Sequence, residues 1–434
     1  MAKVITTELQ HSGASAANIT LDSSKNVTCE NNLQVDGNVT VTGTLPADKL
    51  TGALPAISGA SLTGISSPLS FRNLVINGSM QVAQRGTSDT ANGYKTVDRW
   101  NTESGGHDEL PTREQVAVTS GGAYDVGFRK ALKITNGNQT SGAGTGDYMA
   151  ILQPIEAQNL AQSGWNYVST SSKITLSFWV KSSVAQNFYG YVASVDGTKQ
   201  SYPFETGSLT ANTWTKVTKT IPGASGIQID NNNAAGFELQ IYPFMGTDYT
   251  DAGVSLNAWA AYNSSQRMPN NTSTWWTTND ATFELTGVQL EVGDTATDFE
   301  HRSYGDELLR CQRYFQVWRD VVGLIMRVHS TTQCVTNMRL QIPMRNDAPT
   351  YAIGDSNQNF DLLYSGGLLA SQNSSGWVFS AGGPRFGGFE LMMTRGSGTF
   401  STLDTVIHAN IQFEYPSNSL AGIHHYFASA DSEL

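Results

Sequence analysis

Polar and apolar residues alternate along much of this chain, and the alternation changes character in three places. Between residues 19 and 45 most odd positions are apolar or glycine and most even ones are polar. Leu33, Val35, Gly37, Val39, Val41, Gly43 and Leu45 interleave with Gln34, Asp36, Asn38, Thr40, Thr42 and Thr44. A period of two gives a β-ribbon with one apolar face. Nothing nearby covers that face: the chain continues through a near-repeat of small and turn-forming residues, TGTLPADKL from Thr42 and TGALPAISG from Thr51. An apolar ribbon without a core of its own must find cover on another chain. Residues 1–67 are therefore expected to form a stalk of several identical chains, packed through Leu33, Val35, Val39, Val41, Leu45 and Leu54.

From residue 68 to 302 the alternation breaks into short runs bounded by turn signals, at 115–119, 130–135, 148–153, 173–181, 188–195, 215–221, 236–242 and 281–292. Such a series, almost free of helical periodicity, predicts an antiparallel sandwich of jelly-roll type. In the run 173–181, Ile174, Leu176, Phe178 and Val180 share one face and Thr175 and Ser177 the other. Trp179 falls on the polar face, where it needs cover or a ligand; Trp179 and Trp214 are read as structural. Residues 303–434 are expected to form a smaller β-domain led by one short helix. Ser303 is its cap, and Asp306 and Glu307 sit at its positive end. Leu308, Cys311 and Phe315 form its apolar stripe. Beyond it alternation returns, in Met338, Leu340, Ile342, Met344 and in Ile407, Ala409, Ile411, Phe413, Tyr415. The fold class predicted is all-β.

Composition narrows the setting. Only 15% of residues are charged, against about a quarter in ordinary globular chains, with Gly, Ser, Thr and Asn in their place. A net charge of −11 argues against nucleic acid as a partner, because phosphate contacts need a basic surface. Three scattered cysteines, Cys29, Cys311 and Cys334, make neither a disulfide framework nor a zinc site. Residues 1–10 lack the apolar run of a secretory signal, and no stretch approaches the roughly 18 apolar residues of a membrane span. Cytoplasmic synthesis without membrane insertion is expected, for a chain with the composition of a surface adhesin. A virion protein released by lysis satisfies both conditions.

Five segments carry a family resemblance. VDGNVTVTGTLPADKLTGALPAISGASLTG resembles the shafts of bacteriophage tail fibres. NLVINGSMQVAQRG (Asn73 to Gly86), YKTVDRW (Tyr94 to Trp100) and ITLSFWVKSS (Ile174 to Ser183) resemble a jelly-roll module of phage fibre and baseplate-associated proteins, itself similar to carbohydrate-binding jelly rolls. GVQLEVGDTATDFEHRSYGDELLRCQRYFQ (Gly287 to Gln316) is similar to the junction between that module and a C-terminal domain. The resemblance implies a homotrimeric tail fibre, held in the virion by a tail or baseplate adaptor at its N-terminal part. Its distal domains would adhere to host surface polysaccharide. The oligomer was reached from the residues; trimer, tail and phage come from the resemblance.

Sugar binding needs exposed aromatic faces and a few fixed polar groups. In NNTSTWWTTND, Trp275 and Trp276 are adjacent, and on a strand two neighbouring rings cannot both face a core. At least one is expected at the surface or against another subunit, as a glycan platform. Trp259 and Tyr262 repeat the idea in AWAAYNSS. Trp377, Arg385 and Phe386, among glycines, are candidates for recognition at a distal tip; hairpin turns with core aromatics are the plainer alternative. Asp98, Glu291 and Asp298 are candidates for a structural calcium, and no other cofactor is indicated. His408, His424 and His425 are poor ligands, since adjacent histidines on a strand point oppositely. His107, Asp108 and Glu109 form the densest acidic cluster beside a histidine, and no GxSxG, HExxH or P-loop pattern occurs. The expectation is a non-enzymatic adhesin; the alternatives are a capsid- or tail-mounted fibre or decoration protein, and a polysaccharide depolymerase.

Overall fold

The computed structural model describes residues 72–318, 324–330, 333–345, 428–433 and the other strands named below. The chain divides into two compact units, Met1–Ile65 and Ser66–Leu434. In the first, β1 (Glu8–Leu9), β2 (Ile19–Leu21) and β3 (Val27–Cys29) form an antiparallel sheet in that order. The predicted stalk residues Leu33, Val35, Val39, Val41, Leu45 and Leu54 lie outside the described residues.

The second unit opens with β4 (Ser88–Asp89), β5 (Asn101–Gly105) and β6 (Thr112–Ala117), then helix α1 (Gly122–Asp125), β7 (Lys130–Thr135) and β8 (Tyr148–Glu156). After α2 (Ala157–Ala161) come β9 (Lys173–Ser182), β10 (Asn187–Ser194), β11 (Gln200–Ser208), β12 (Thr215–Pro222) and β13 (Ala235–Met245). β14 (Ala260–Ala261), α3 (Thr274–Thr277), β15 (Thr282–Val292) and α4 (Tyr304–Gln312) complete the run. Two six-stranded antiparallel sheets result, in the orders β14-β11-β10-β13-β8-β5 and β12-β9-β15-β7-β6-β4. The chain passes from one sheet to the other at every step from β4 to β15 except β6 to β7, β10 to β11 and β13 to β14, so that its strands alternate between the layers as in a jelly roll.

The alternation read from the sequence is what closes this sandwich. Ile174, Leu176, Phe178 and Val180 of β9 face Phe237, Leu239 and Ile241 of β13 in one buried cluster. Phe178 meets Phe204 at 6.2 Å and Phe188 meets Phe283 at 5.0 Å. Strands β4, β5, β11 and β14 are additional to the predicted series. Trp179 does lie on the outer face, half-buried beside Phe128, Trp214 and Phe299.

The segments 73–86 and 94–100, which carry part of the family resemblance, prove to be architecture. Asn73 donates from Nδ2 to Val288 O at 3.0 Å and accepts at Oδ1 from the Val75 and Leu290 N–H groups, fixing the segment to β15. Asn77 Nδ2 donates to Val82 O and Asp98 O, and Trp100 Nε1 donates back to Asn77 O at 3.1 Å. Asn77, Met80 and Arg99 all take positive φ, at 57°, 58° and 71°. Such values in Met and Arg are strained and persist only where the surroundings over-determine them. Gly78 is required for a different reason: a Cβ there would stand 2.1 Å from Val288 O.

This segment also receives the chain beyond the sandwich. Ser303 caps α4, its Oγ accepting from Asp306 N at 3.2 Å, and Glu307 accepts from Asn77 N at 2.6 Å. Buried Arg99 lies 3.5 Å from the Tyr314 ring centroid and pairs with Glu433. Arg313 donates to both oxygens of buried Glu156, at 2.7 and 2.8 Å.

The remaining strands are β16 (Phe315–Trp318), β17 (Leu324–Ser330), β18 (Gln333–Arg339), β19 (Thr350–Ile353), β20 (Phe360–Tyr364) and β21 (Gly367–Gln372). They are followed by β22 (Trp377–Arg385), β23 (Gly388–Arg395), β24 (Val406–Ile411) and β25 (Ala428–Asp431). They form a three-stranded sheet, β16-β25-β19, and a seven-stranded one, β21-β20-β24-β17-β18-β23-β22. The architecture is all-β throughout. Among the described residues no helix is long and apolar enough to cross a membrane.

Candidate functional site

The structure removes the leading aromatic pair from the surface. Trp275 and Trp276 are both 0% exposed. They sit on the short helix α3, where successive side chains diverge by about 100° rather than 180°, so both can enter the core. Trp276 stacks on Phe244 at 5.2 Å and donates from Nε1 to Gly142 O; Trp275 donates to Thr282 O. Asn136 Nδ2 closes the helix against the sandwich through Trp276 O at 2.6 Å. Expecting an exposed ring assumed a strand, and that assumption fails.

Trp259 is half-buried against Tyr202 and Phe237, its indole N–H donating to Pro222 O at 2.7 Å. It lines a cavity of about 520 Å³ with Pro203, Val254 and Asn263. Trp377 and Arg385 stand at the two ends of β22, paired with Arg395 and Gly388 of β23; their side chains, and Phe386, lie outside the described residues. Of the calcium candidates, Glu291 and Asp298 meet around Arg72, while Asp98 has other partners. Asp98 is buried and accepts from the Gln84 backbone N–H at 2.9 Å and from Gln84 Nε2, whereas Glu291 is engaged by Arg72 and Thr297. Asp298 is exposed, and its carbonyl takes Arg72 Nη2. Among the described residues no group of three potential ligands forms a metal site. Asp108 and Glu109 tie two loops together, accepting from Ser141 N and Asn138 N. The Ser141 bonds, its backbone N–H first and its hydroxyl next, hold the Asp108 carboxyl below its usual range.

What the fold does assemble is a tyrosine-covered face on the outer side of the sheet containing β8, β10 and β13. In β8, Met149 and Ile151 enter the core while Tyr148, Ala150 and Leu152 turn outward. In β10 the outward residues are Tyr189, Tyr191 and Ala193, and in β13 they are Glu238, Gln240 and Tyr242. Register places Tyr189 beside Tyr242, Tyr191 beside Gln240, and Gln240 beside Leu152. A bulge between Ile241 and Phe244 re-aims β13 where it meets β8. The segment after β13 then crosses this face, with Met268 buried at a bridge to Thr250, and brings Tyr249, Tyr262 and Arg267 onto it.

The rings pack on one another. Tyr191 and Tyr242 stack at 5.9 Å, Tyr148 meets Tyr249 edge-on at 6.0 Å, and Tyr262 leans on Tyr191. A polar chain runs beneath them. Lys199 pairs with Glu238 at 2.8 Å, Gln240 Nε2 donates to Glu238 at 2.9 Å, and the Tyr242 hydroxyl donates to Gln240 Oε1. Burial pushes the Tyr242 phenol up to about 12 and the Tyr191 phenol well above its ordinary value, so both stay neutral hydrogen-bonding groups at neutral pH. Beside them opens a cavity of about 230 Å³, lined by Glu103, Tyr148, Leu152, Tyr242, Tyr249 and Arg267. Flat rings with a carboxylate, an amide and a guanidinium at fixed positions are what a sugar requires.

Of the sequence candidates only Tyr262 belongs to this face. The signal for the others lay in the phase of the strands. Tyr189 and Tyr191 in β10, and Tyr242 after Glu238 and Gln240 in β13, are aromatic residues on the outward phase.

No family model matches the chain, and no curated protein does. Among solved structures it is similar to the enzymatically active domain of tailspike protein 4 of bacteriophage CBA120, at 11% identity and a TM-score of 0.28, over 51% of this chain and 21% of that one. A putative sugar binding protein from Bacteroides thetaiotaomicron matches at 13% identity and a TM-score of 0.26, over 51% of this chain and 100% of that one. The N-terminal cellulose-binding domain of Cellulomonas fimi β-1,4-glucanase C matches at 10% and 0.24, over 50% and 99%. These likenesses are weak; the sandwich rests on its own strand order and core.

Proposed function

We propose that this chain is the subunit of a homotrimeric phage tail fibre that adheres to host envelope glycans through the tyrosine face, without cleaving them. One observation carries the binding part: a cavity with aromatic walls whose polar groups are pre-positioned by a hydrogen-bond chain reaching from Lys199 to Tyr242. The resemblance of the stalk and of the Asn73 to Gly86 segment supports the fibre. The virion setting, the adaptor at the N-terminal part and the trimer belong to this reading as well. Three weak sites on one fibre, and several fibres on one particle, would give firm attachment by avidity. The non-enzymatic part of the reading rests on the sequence, in which no GxSxG, HExxH or P-loop pattern occurs.

The test is binding of the full chain to an array of bacterial surface polysaccharides, compared with a Tyr148→Ala, Tyr249→Ala double variant. The variant should lose tenfold or more in affinity, about 1.4 kcal/mol, while keeping a cooperative unfolding transition lowered only by the lost ring–ring contact. Equal binding by the variant would remove this face. Sedimentation of the full chain as a monomer would remove the trimer.

A further inference from the structure

Arg267, like Arg113 and Arg129, is held by groups other than carboxylates among the described residues. Arg72, Arg85, Arg99, Arg302 and Arg313 each pair with a carboxylate. Arg267 is half-buried, lines the 230 Å³ cavity, and makes no ion pair among the described residues. Its Nε donates to Ser264 O at 3.0 Å, and its guanidinium carbon lies 4.8 Å from the Tyr249 ring centroid and 6.0 Å from that of Tyr262. The backbone holds it there, Arg267 N donating to Tyr249 O at 2.8 Å. Glu238, on the same face, is taken by Lys199 and Gln240. The guanidinium also bonds the Tyr242 hydroxyl; held in this way among aromatic rings at the cavity wall, it is pre-organised for a planar or trigonal anion. Glu103 lines the same cavity. It repels a bare anion and accepts hydroxyl protons, so the matching ligand carries hydroxyls and one negative group together.

Resting on the glycan-binding reading above, we infer that the sugar residue seated in this cavity is anionic, its uronate carboxylate or phosphate substituent held by Arg267 and its hydroxyls by Glu103. The glycan recognised is then an acidic polysaccharide rather than a neutral one.

Matched polymer pairs test this with the full chain: polygalacturonate against its carboxyl-reduced product, and phosphomannan against its dephosphorylated mannan. The charged member of one pair should bind at least tenfold more tightly than its neutral counterpart, and which pair responds separates carboxylate from phosphate. Arg267→Gln should lose about ten- to hundredfold toward the charged polymer, as for a lost charged hydrogen bond, and nothing toward the neutral one. Arg267→Lys, which keeps the charge, should recover part of that loss, and thermal unfolding of both variants checks that the loop still folds. Binding of the neutral members as tightly as the charged ones, or an equal effect of Arg267→Gln on both, overturns the inference and leaves the glycan-binding reading standing. Binding of none of the four, together with none of the surface-polysaccharide array, overturns the reading beneath it.

Discussion

Replacing Trp276 with alanine separates a core residue from a ligand platform. The indole is 0% exposed, stacks on Phe244 with centroids 5.2 Å apart and an interplanar angle of 30°, and donates to Gly142 O at 3.1 Å. A buried aromatic side chain removes about 150–250 Å² from water, which at about 25 cal/mol per Å² is roughly 4–6 kcal/mol as an upper bound. Partial collapse of the neighbours reduces this, and measured Trp-to-Ala losses in cores run at about 3–5 kcal/mol. The expected cost is therefore about 4 kcal/mol. With about 2–4 °C per kcal/mol for a domain of this size, the unfolding temperature should fall by about 8–16 °C. Denaturant titration followed by near-ultraviolet circular dichroism gives the free energy, and calorimetry the temperature. Polysaccharide binding measured well below the transition should match that of the unaltered chain. A loss under about 1 kcal/mol accompanied by lost binding would put the ring at the surface and refute the packing described above.

Two further outcomes follow from the segment that docks the chain onto β15. Gly78→Ala forces a Cβ to within 2.1 Å of Val288 O, where backbone on both sides must move. A destabilisation of about 1–3 kcal/mol is expected, and thermal unfolding equal to that of the unaltered chain would show that the segment yields. Burial pushes the Asp98 carboxyl up to about 6, against the pull of Arg85 and of the Gln84 donors and with Glu433 adding to the rise. The folded state then holds this proton more tightly than the unfolded state, whose carboxyl titrates near 3.9. Stability should fall as pH rises from about 4 to about 6, and Asp98→Asn should flatten that part of the curve. An unchanged slope in the variant would assign the effect to another group.

Much of the sandwich was legible in the chain because burial on one face of a strand imposes a period of two. The runs at 130–135, 173–181 and 281–292 coincide closely with β7, β9 and β15. The cap of α4 was legible for a local reason as well, since Ser303 and Asp306 meet within one turn. Where alternation is interrupted the reading missed: β11 carries Pro203 and ends in Thr206, Gly207 and Ser208, and β5 is only five residues long. The Trp275–Trp276 pair was misplaced because a single turn of helix leaves no periodicity to detect. Asn73, Asn77 and Gly78 were recognisable as a motif, but not as the buried hydrogen-bonding device that joins β15 to the start of the domain.

The sequence by itself determined the all-β class, the approximate strands, the leading helix of the C-terminal region and the lack of a basic surface. These depend on neighbours one to four positions apart, or on composition alone. Only the tertiary structure decided which aromatics face outward together. Tyr148, Tyr191, Tyr242, Tyr249 and Arg267 come from three adjacent strands, β8, β13 and β10, and from a crossing loop. Their meeting depends on strand order, on the bulge between Ile241 and Phe244, and on Met268 anchoring the loop. A binding face built across strands is a long-range property, and strand order is fixed by the packing of the whole sandwich.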